Sequence, residues 1–527
     1  MESMTMTAGG EFDFIVVGGG SAGCVMAARL SENGRHRVLL LEAGPASDSA
    51  REDSPLRDAS RLVLSGYNWG YEAHVRGDGE RGGRRKPFAY SLGKVLGGSS
   101  AINGAVALRA FPSDFAAWER MGCPEWSWDK VLPWFRKMEQ DADRADEWHG
   151  GDGPLRLRRP ATGEIHPLDQ AFSVSCQRQG MPYTDDLNLG EDAAVGLVPA
   201  NVRGQAERMD VYRSYLQPAQ GRANLTVETG AEAAGIVFDG RRACGVDAMV
   251  GGRRLRYAAR RVVLCAGAVG TAALLQRSGI GDPEHLASAG IPLRAALPAV
   301  GRNLTDHASL VLWALPKPGV CARGLPWRQV AARACSGYDE RVDVQIGLLN
   351  NVASETVPSF QERVAYPMLV GGSVMLMRPN AQGAVRVLSG DPAQLPRIDL
   401  PLSDDADIAR LAGGVRLLWR VLKDPLVSCY LDGVQFWSES MIGNPAVVAS
   451  AVRNLVNPGW HAAGTVRMGP AADPACAAGE DGAVHGLDGL TVADASLFPT
   501  IPSMPTNLTT IMLAERLAAA LLDKERA

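Results

Sequence analysis

A glycine-rich loop near the start of the chain has the residue types and spacing to bind a dinucleotide. Residues 18–23 fit the pattern GxGxxG. In such a loop Gly18 permits a tight turn, Gly20 lets the backbone approach a pyrophosphate, and Gly23 lets the following helix touch the preceding strand. The phosphates would lie at the N-terminus of that helix, where free N–H groups and the helix dipole favour negative charge.

The elements that must hold this loop are predicted on either side of it. Residues 14–17 are an apolar run typical of a buried parallel strand, residues 24–30 predict a helix, and residues 38–41 predict the next strand. Glu42 ends that second strand, where its carboxylate can accept hydrogen bonds from both ribose hydroxyls and disfavours a 2′-phosphate. The unit predicts a site for NAD or FAD rather than NADP, with an ordinary glycine turn as the alternative.

Later segments indicate which dinucleotide is bound. Residues 93–104 are rich in glycine and serine, residues 261–281 predict a buried strand followed by a helix, and residues 490–510 lead into a further helix. Together with residues 300–307 and the segment around His461, they resemble the glucose–methanol–choline (GMC) oxidoreductases, a family of FAD enzymes. The resemblance covers nearly the whole chain.

The resemblance implies a set of FAD contacts along the chain. The glycine loop and Glu42 would hold the ADP half, residues 97–103 would lie along the pyrophosphate and flavin, and residues 103–106 would pass near flavin N5. The implied cofactor-binding residues are Gly18, Gly20, Ser21, Ala22, Gly23, Glu42, Ala43, Val95, Gly98, Ser99, Asn103, Gly104, Ala105, Val106, Ala233, Ala266, Gly267, Trp460, Asp494, Ala495, Thr506 and Asn507. Some members attach FAD covalently through a histidine where this chain has Ile102, so non-covalent FAD is expected.

The same resemblance implies that His461 is the catalytic base. An alcohol carbon gives up hydride more easily once its hydroxyl proton is leaving, and an imidazole with a pKa of about 6.5 can take that proton near neutral pH. Hydride would then pass to flavin N5. The other seven histidines are expected to be surface residues or to have their hydrogen bonds satisfied.

Pro505 departs from the family pattern beside this base. Most relatives carry a histidine or asparagine there, which hydrogen-bonds the same substrate oxygen, whereas the side chain of Pro505 can neither donate nor accept. Proline at this position is known in the family, together with a second histidine two residues before the base, where this chain has Gly459. The sequence therefore leaves the second partner of the substrate oxygen unidentified.

Two functions remain open at this point. The leading hypothesis is a GMC-type FAD-dependent alcohol oxidase or dehydrogenase that converts a small primary alcohol, aromatic or heteroaromatic, to its aldehyde. Its expected partners are that alcohol and either O2 or another electron acceptor, with no nucleic acid and no membrane. The alternative is a lyase that keeps FAD as a structural group, as the hydroxynitrile lyases of this family do.

The expected fold class is α/β, or α+β overall. A Rossmann-like FAD-binding domain is predicted to comprise residues 10–160, 205–310 and 450–527. A substrate-binding domain, inserted between these segments and built on an antiparallel β-sheet flanked by helices, is predicted to comprise residues 161–204 and 311–449.

The substrate-binding part carries its own patterns. Alternating apolar residues within 342–388 predict an antiparallel sheet beneath a pocket, and residues 404–422 predict a helix. Four apolar side chains either line that pocket or fill the core: Met375, Met377, Phe436 and Trp437.

Composition and charge argue against several functions. A formal charge of −4 and a pI of about 6.1 disfavour a surface for nucleic acid or anionic membrane. Nine scattered cysteines without a CxxC pair predict neither a disulfide framework nor a zinc site. Residues 1–11 lack the features of a signal peptide, so a cytoplasmic location is expected. No spacing of His, Asp and Glu predicts a metal site.

Overall fold

The computed structural model describes residues 6–7, 10–61, 65–75, 87–357, 360 and 366–526 of the chain. The expectation of a cytoplasmic location rests on residues 1–11, most of which lie outside the described residues. Among the residues that are described, no helix combines the length and the apolarity needed to cross a membrane. All nine cysteines are unpaired.

The apolar run Phe12–Val17 lies inside a parallel sheet. It pairs with Val38–Glu42 on one side and with Arg253–Leu264 on the other. Leu225–Thr229 extends the sheet beyond Val38–Glu42, and Leu490–Val492 pairs with Arg253–Leu264. The two inner strands nearest the N-terminus are almost wholly buried, which explains why their sequences are continuous apolar runs rather than alternating ones.

Two antiparallel strands extend this sheet. Arg253–Leu264 is long enough to pair with Phe12–Val17 through its second half and with Arg242–Val250 through its first half. Ala231–Asp239 then pairs with Arg242–Val250 at the edge. The glycine loop follows Phe12–Val17 and leads into the helix Gly23–Leu30, as the sequence predicts.

The second large sheet is antiparallel apart from its last pair of strands. Its strand order is Leu431–Val434, Ala308–Pro316, Met368–Leu376, Val344–Ala353, Val330–Ala334, Ala194–Leu197 and Tyr183–Thr184, with Asn457–Pro458 also paired to Ala308–Pro316. The helix Asp405–Lys423 packs closely on it, since a Cβ at Gly372 would lie 3.0 Å from Cδ2 of Leu418. The mixed α/β fold class predicted from the sequence is confirmed.

The strand predictions for residues 342–388 are correct in two places and wrong in one. Val344–Ala353 and Met368–Leu376 are neighbours in the antiparallel sheet. Ala384–Arg386 lies instead in a separate four-stranded sheet, whose other members are Arg397–Asp399, Tyr71–His74 and Phe88–Tyr90. Alternation of apolar residues identifies a strand but carries no information about its partner.

The remaining helices and strands connect or flank the sheets. The other α-helices are Ser99–Ile102, Pro112–Arg120, Trp128–Met138, Pro167–Arg178, Gln217–Ala219, Gly267–Arg277, Pro283–Ser288, Pro425–Ser428, Glu439–Ile442, Pro445–Leu455 and Thr506–Lys524. The other strands are Met6–Thr7, Glu139–Asp141, Leu155–Leu157, Val202–Arg203, Glu207–Arg208, Ile280–Gly281 and Ala295–Ala296. The boundaries of the two predicted domains stay a prediction.

Candidate active site

A cavity of about 1810 Å³ is lined by residues of both large sheets. One part of its wall is formed by the glycine loops and the ends of the parallel strands, and another part by side chains of the antiparallel sheet. His461 and Pro505 both line it. The residues that the sequence predicts for cofactor and catalysis are therefore gathered mostly around one space.

The first glycine loop is closely packed where the parallel strand ends. Gly18 has φ +98°, and a Cβ on it would lie 2.6 Å from the carbonyl oxygen of Cys265. A Cβ on Gly23 would overlap the carbonyl oxygen of Gly18. Only glycine fits either place, so the loop presents bare backbone to the cavity at the start of the helix.

Glu42 lies at the end of the second parallel strand and lines the cavity. Its Oε2 accepts a hydrogen bond from Gly19 N and its Oε1 accepts one from Gly44 N, both at 2.7 Å. Burial raises the pKa of this carboxyl to about 7, against the effect of the two backbone donors. Each carboxylate oxygen keeps further acceptor capacity, which ribose hydroxyls could use.

The second glycine loop touches the first. Gly98 has φ +52°, and a Cβ on it would lie 2.6 Å from Cα of Gly20. Nearby, Asn507 Oδ1 accepts from Ser21 Oγ at 2.9 Å, while Asn507 Nδ2 is buried without a partner among the described residues. Bare backbone from two loops on the cavity wall, with an unpartnered buried amide beside it, is what a dinucleotide with a polar flavin ring would need. The residues present fit FAD.

Asp494 is held firmly on the same wall. Its Oδ2 accepts from Gly267 N at 2.9 Å and from Thr271 Oγ1 at 2.6 Å, and its Oδ1 accepts from Ser496. Burial raises its pKa, against these hydrogen bonds. The carboxyl therefore ties the loop after Arg253–Leu264 to the chain after Leu490–Val492.

Most of the residues predicted from the sequence line the cavity, and three do not. Those that line it are Gly18, Gly20, Ser21, Ala22, Glu42, Ala43, Gly98, Ser99, Asn103, Gly104, Val106, Ala233, Ala266, Gly267, Trp460, His461, Asp494, Ala495, Pro505, Thr506 and Asn507. Gly23 packs against Gly18, Val95 is buried against Leu56, and Ala105 is buried in a small cluster with Ala59. These three can act on a ligand only by shaping the loops.

His461 pairs with a second histidine that the sequence analysis treats as an ordinary one. Nδ1 of His307 lies 2.8 Å from Nδ1 of His461, and Nε2 of His307 lies 2.9 Å from the carbonyl oxygen of Pro502. A carbonyl only accepts, so Nε2 of His307 carries its proton, and Nδ1 of a neutral His307 must accept from His461. Nε2 of His461 is then left unprotonated, and it has no hydrogen-bond partner among the described residues.

The charge states support this arrangement. Burial lowers the pKa of His307 to about 4, so that ring is neutral near neutral pH. Burial, and secondarily the neighbouring His307, lower the pKa of His461 well below its ordinary value. A neutral imidazole with an open Nε2 can accept a proton from a ligand in the cavity.

A buried carboxyl fixes the backbone around the base. Asp306 Oδ1 accepts from His461 N at 2.9 Å and from Gly459 N at 3.1 Å, and Oδ2 accepts from the hydroxyl of Tyr90 in a short hydrogen bond. Between the two amides, Trp460 has φ +60°, which is unusual for a residue with a side chain. Asp306 therefore acts as a clamp on a strained turn.

The structure also explains why position 459 carries no side chain. A Cβ on Gly459 would lie 3.0 Å from the carbonyl oxygen of His307 and 3.2 Å from Nδ1 of His461. His307 thus occupies this space, although its Nε2 is committed to Pro502 and cannot reach a substrate oxygen. Pro505 lines the cavity as the residue before the helix Thr506–Lys524.

The four apolar candidates of the substrate region divide between pocket and core. Met375, Phe436 and Trp437 line the cavity, whereas Met377 is fully buried in a cluster with Met504. Polar side chains that the sequence did not mark as site residues also line the cavity, among them Ser309, Arg328, Gln345, Ser373 and Asn457. Nothing in their local sequence marks them, because each is an isolated polar residue in or beside a strand.

A buried charged cluster lies outside the cavity wall. Glu139, Asp141 and His149 bring ligand-type atoms within 4.8 Å of one another, a group that their spacing along the chain did not predict. Arg109 binds Glu139, and Arg159 lies 2.9 Å from Asp141. Burial alone would lower the pKa of His149, but hydrogen bonds that its ring donates to the surrounding carboxylates raise it to about 10. Two arginines and a protonated histidine supply the positive charge that a metal ion would otherwise supply.

Comparisons with known proteins agree with this geometry. Residues 12–309 and 379–514 each match a sequence model described as GMC oxidoreductase. The chain is 32% identical over 537 residues to the 5-(hydroxymethyl)furfural oxidase of a Methylovorus species, covering 97% of this chain and 99% of that protein. It is 33% identical over 533 residues to the oxygen-dependent choline dehydrogenase of Photobacterium profundum, covering 97% and 93%.

A solved structure shows the same fold. The pyridoxine 4-oxidase from Mesorbium loti superposes with a TM-score of 0.87 at 27% identity, covering 97% of this chain and 99% of that one. The two family models together match most of the chain, and the full-length relatives are 32% and 33% identical to it. The chain therefore belongs to the GMC oxidoreductase family and is an FAD-binding oxidoreductase.

Proposed function

We propose that this chain oxidises a primary alcohol to the aldehyde, with His461 as the base. The observation that carries the proposal is the position of His461: it lines the same cavity as both glycine loops, while its Nδ1 is occupied by His307. The nitrogen left open is therefore the one that can meet an alcohol hydroxyl beside the cofactor.

In this proposal, each part of FAD has residues suited to hold it. Gly18 and Gly20 offer bare backbone and a helix N-terminus to the diphosphate, and Glu42 accepts from the ribose hydroxyls. Asn507 lines the same cavity, and its buried Nδ2 has no partner among the described residues. The other predicted cofactor residues belong to the same site, with Gly23, Val95 and Ala105 as positioning residues. When bound, FAD supplies an acceptor for the hydride of the alcohol carbon.

The two histidines determine which nitrogen takes the proton of the alcohol. Nε2 of His461 takes the hydroxyl proton, which leaves the alkoxide character needed for hydride loss. The imidazolium so formed donates from Nδ1 to His307 and from Nε2 to the product oxygen. His307 keeps its proton on Nε2, which donates to the carbonyl oxygen of Pro502. Its Nδ1 therefore accepts from His461 throughout.

A small aromatic or heteroaromatic alcohol is the proposed substrate class. Two relatives are named for a furan alcohol and for pyridoxine, and Trp313, Trp327, Phe436 and Trp437 line the cavity. The relatives are named as oxidases and as an oxygen-dependent dehydrogenase, which supports O2 as an electron acceptor, with another acceptor as the alternative. Free thiols at all nine cysteines support a reducing, cytoplasmic location. No observation favours the lyase.

Non-covalent FAD is part of the proposal, because Ile102 offers no group that could bond to the flavin. Ile102 lies on the cavity wall at the end of the helix Ser99–Ile102. Acid precipitation followed by ultrafiltration should leave all of the yellow colour in the filtrate. Flavin that stays with the precipitated chain would contradict this.

The test of function is anaerobic mixing of the FAD-loaded protein with benzyl alcohol while the flavin absorbance is followed. The wild type should bleach, and His461→Ala should bleach about 10²- to 10⁴-fold more slowly because it lacks the base. His285→Ala, a histidine outside the cavity wall, is the matched control and should bleach at the wild-type rate. A lyase would leave the flavin oxidised, and an active His461→Ala would refute the mechanism.

A further inference from the structure

Arg328 brings a guanidinium group to the part of the cavity wall that the antiparallel sheet forms. It precedes the strand Val330–Ala334, and its Nε donates to the carbonyl oxygen of Leu348 at 3.3 Å. Its Nη2 donates to Ser373 Oγ, which itself donates to the carbonyl oxygen of Gly347 at 3.0 Å. A Cβ on Gly347 would lie 3.5 Å from Cζ of Arg328, so the group rests on bare backbone.

This guanidinium lies one aromatic ring away from the proposed reaction centre. Cζ of Arg328 is 4.9 Å from the centroid of the Trp327 ring. The same ring packs so closely on Gly104 that a Cβ there would overlap it. Gly104 belongs to the stretch proposed to pass near flavin N5, so Arg328 can reach the far end of a small substrate whose alcohol carbon lies at N5.

Arg328 lacks a paired carboxylate among the described residues. A guanidinium has five N–H donors, and among the described residues Nη1 has no hydrogen-bond partner and Arg328 forms no ion pair. Asp169 is the nearby acid, and its charge partly offsets the effect of burial on Arg328. Its Oδ2, however, accepts from Asn350 at 2.8 Å, and burial raises its pKa to about 8. Burial lowers the pKa of Arg328 to about 10, which still leaves it charged at neutral pH.

The charge is also isolated in its surroundings. Of the described residues between 309 and 457 that line the cavity, Arg328 is the one with a charged side chain. The other charges on the wall belong to the nucleotide side, where Glu232, for example, is paired with Lys94 at 3.1 Å. A half-buried cation without a paired carboxylate is costly unless a ligand supplies the opposite charge.

We propose that the alcohol oxidised here carries a carboxylate group, which Arg328 binds while the hydroxymethyl group faces His461. This inference rests on the proposed function and narrows it to hydroxymethyl-substituted aromatic or heteroaromatic carboxylates. A planar guanidinium with a free edge suits a carboxylate because the two can form paired N–H···O bonds. The same charge repels a quaternary ammonium alcohol.

The kinetic test compares 4-(hydroxymethyl)benzoate with benzyl alcohol, which differ only in the carboxylate. We expect the wild type to reduce its flavin with a kcat/KM at least about tenfold higher for the carboxylate. Arg328→Gln should lower the ratio of the two kcat/KM values at least about tenfold, to about one. Arg328→Lys keeps the charge but loses the planar fork, so its ratio should lie between those of the wild type and Arg328→Gln. Arg323→Gln, at an exposed arginine paired with Glu355, should leave the ratio unchanged.

A binding measurement separates this inference from the proposed function. In the oxidised FAD-loaded protein, 4-methylbenzoate should perturb the flavin spectrum at concentrations at least about tenfold below those needed for 4-methylbenzamide, and Arg328→Gln should abolish the difference. If neither alcohol bleaches the flavin, the proposed function fails, and Arg328-dependent binding of 4-methylbenzoate still supports the carboxylate site.

Other outcomes overturn the inference while the proposed function stands. They are equal kcat/KM values for benzyl alcohol and its carboxylate in the wild type, a parallel loss for both in Arg328→Gln, or faster oxidation of choline than of either. The ratio of the two kcat/KM values in the wild type shows whether the carboxylate is preferred, even if Arg328→Gln does not fold.

Discussion

The pairing of His307 with His461 predicts a specific loss of rate in His307→Leu. The substitution removes the acceptor at 2.8 Å from Nδ1 of His461 and leaves a buried N–H without a partner. Such a loss costs about 1–3 kcal/mol. The ring can escape that cost by moving its proton to Nε2, the nitrogen that must stay open for the alcohol. If the cost falls wholly on the reactive tautomer, flavin reduction slows by about 5- to 150-fold.

The matched variant is His307→Asn. An asparagine carbonyl can accept from Nδ1 of His461, although it gives up the bond to the carbonyl of Pro502. It should therefore recover a large part of the rate that His307→Leu loses. Both variants are measured by anaerobic stopped-flow reduction of the flavin at saturating alcohol, so that binding differences do not enter.

The pH dependence of the same rate gives a second, independent readout. Burial, and then His307, hold the pKa of His461 below its ordinary value. A base with a lowered pKa stays unprotonated, so the wild-type rate should be flat above about pH 6.5 and fall only in more acidic buffer. Because the two rings are coupled, that titration belongs to the pair. His307→Leu removes this coupling and the acceptor at Nδ1, so the profile should shift. If His307→Leu reduced its flavin at the wild-type rate and with an unshifted pH profile, the tautomer argument would be refuted.

Three further predictions concern the residues around the site and the buried charged cluster. Tyr90→Phe removes a donor to Asp306, so the free energy of unfolding in urea should fall by about 1–3 kcal/mol; an unchanged midpoint contradicts the clamp. His149 has a folded pKa of about 10, so its stabilisation is complete below about pH 6.5 and is lost as the pH rises toward 10. The melting temperature should fall over that range and fall less in His149→Gln, whereas equal slopes would exclude a protonated His149. Pro505→Asn adds a donor on the cavity wall and a good N-cap for the following helix. Flavin reduction should quicken by about tenfold, the effect of one hydrogen bond of about 1.4 kcal/mol; a slower rate at unchanged melting temperature would place position 505 away from the substrate oxygen.

Local motifs made the nucleotide side of this protein predictable from sequence. The residues at 18–23 and Glu42 are close in sequence, and their geometry follows from a strand, a turn and a helix. The same holds for the helix predicted at 404–422, which the structure places at Asp405–Lys423. In each case the information needed lies within one supersecondary unit.

What could not be predicted depends on contacts between distant segments. His307 and His461 are 154 residues apart, and nothing in either local sequence shows that the two rings meet. Arg328 reads as an ordinary arginine before a strand until the fold places it beside Trp327 on the cavity wall. Ala384–Arg386 was predicted as a strand but given the wrong sheet, because strand pairing is decided by tertiary packing.

The contact between Ser21 and Asn507 joins positions 486 residues apart, and it has a consequence for biosynthesis. The glycine loop is translated well before the helix Thr506–Lys524, which follows only after both sheets have been translated. Because the proposed FAD site needs both segments, we expect FAD to bind after translation and the apoprotein to keep an open cleft until the flavin arrives. A cell short of flavin should accumulate this chain as a species that proteases find easily, since a ligand stabilises only the form that can bind it.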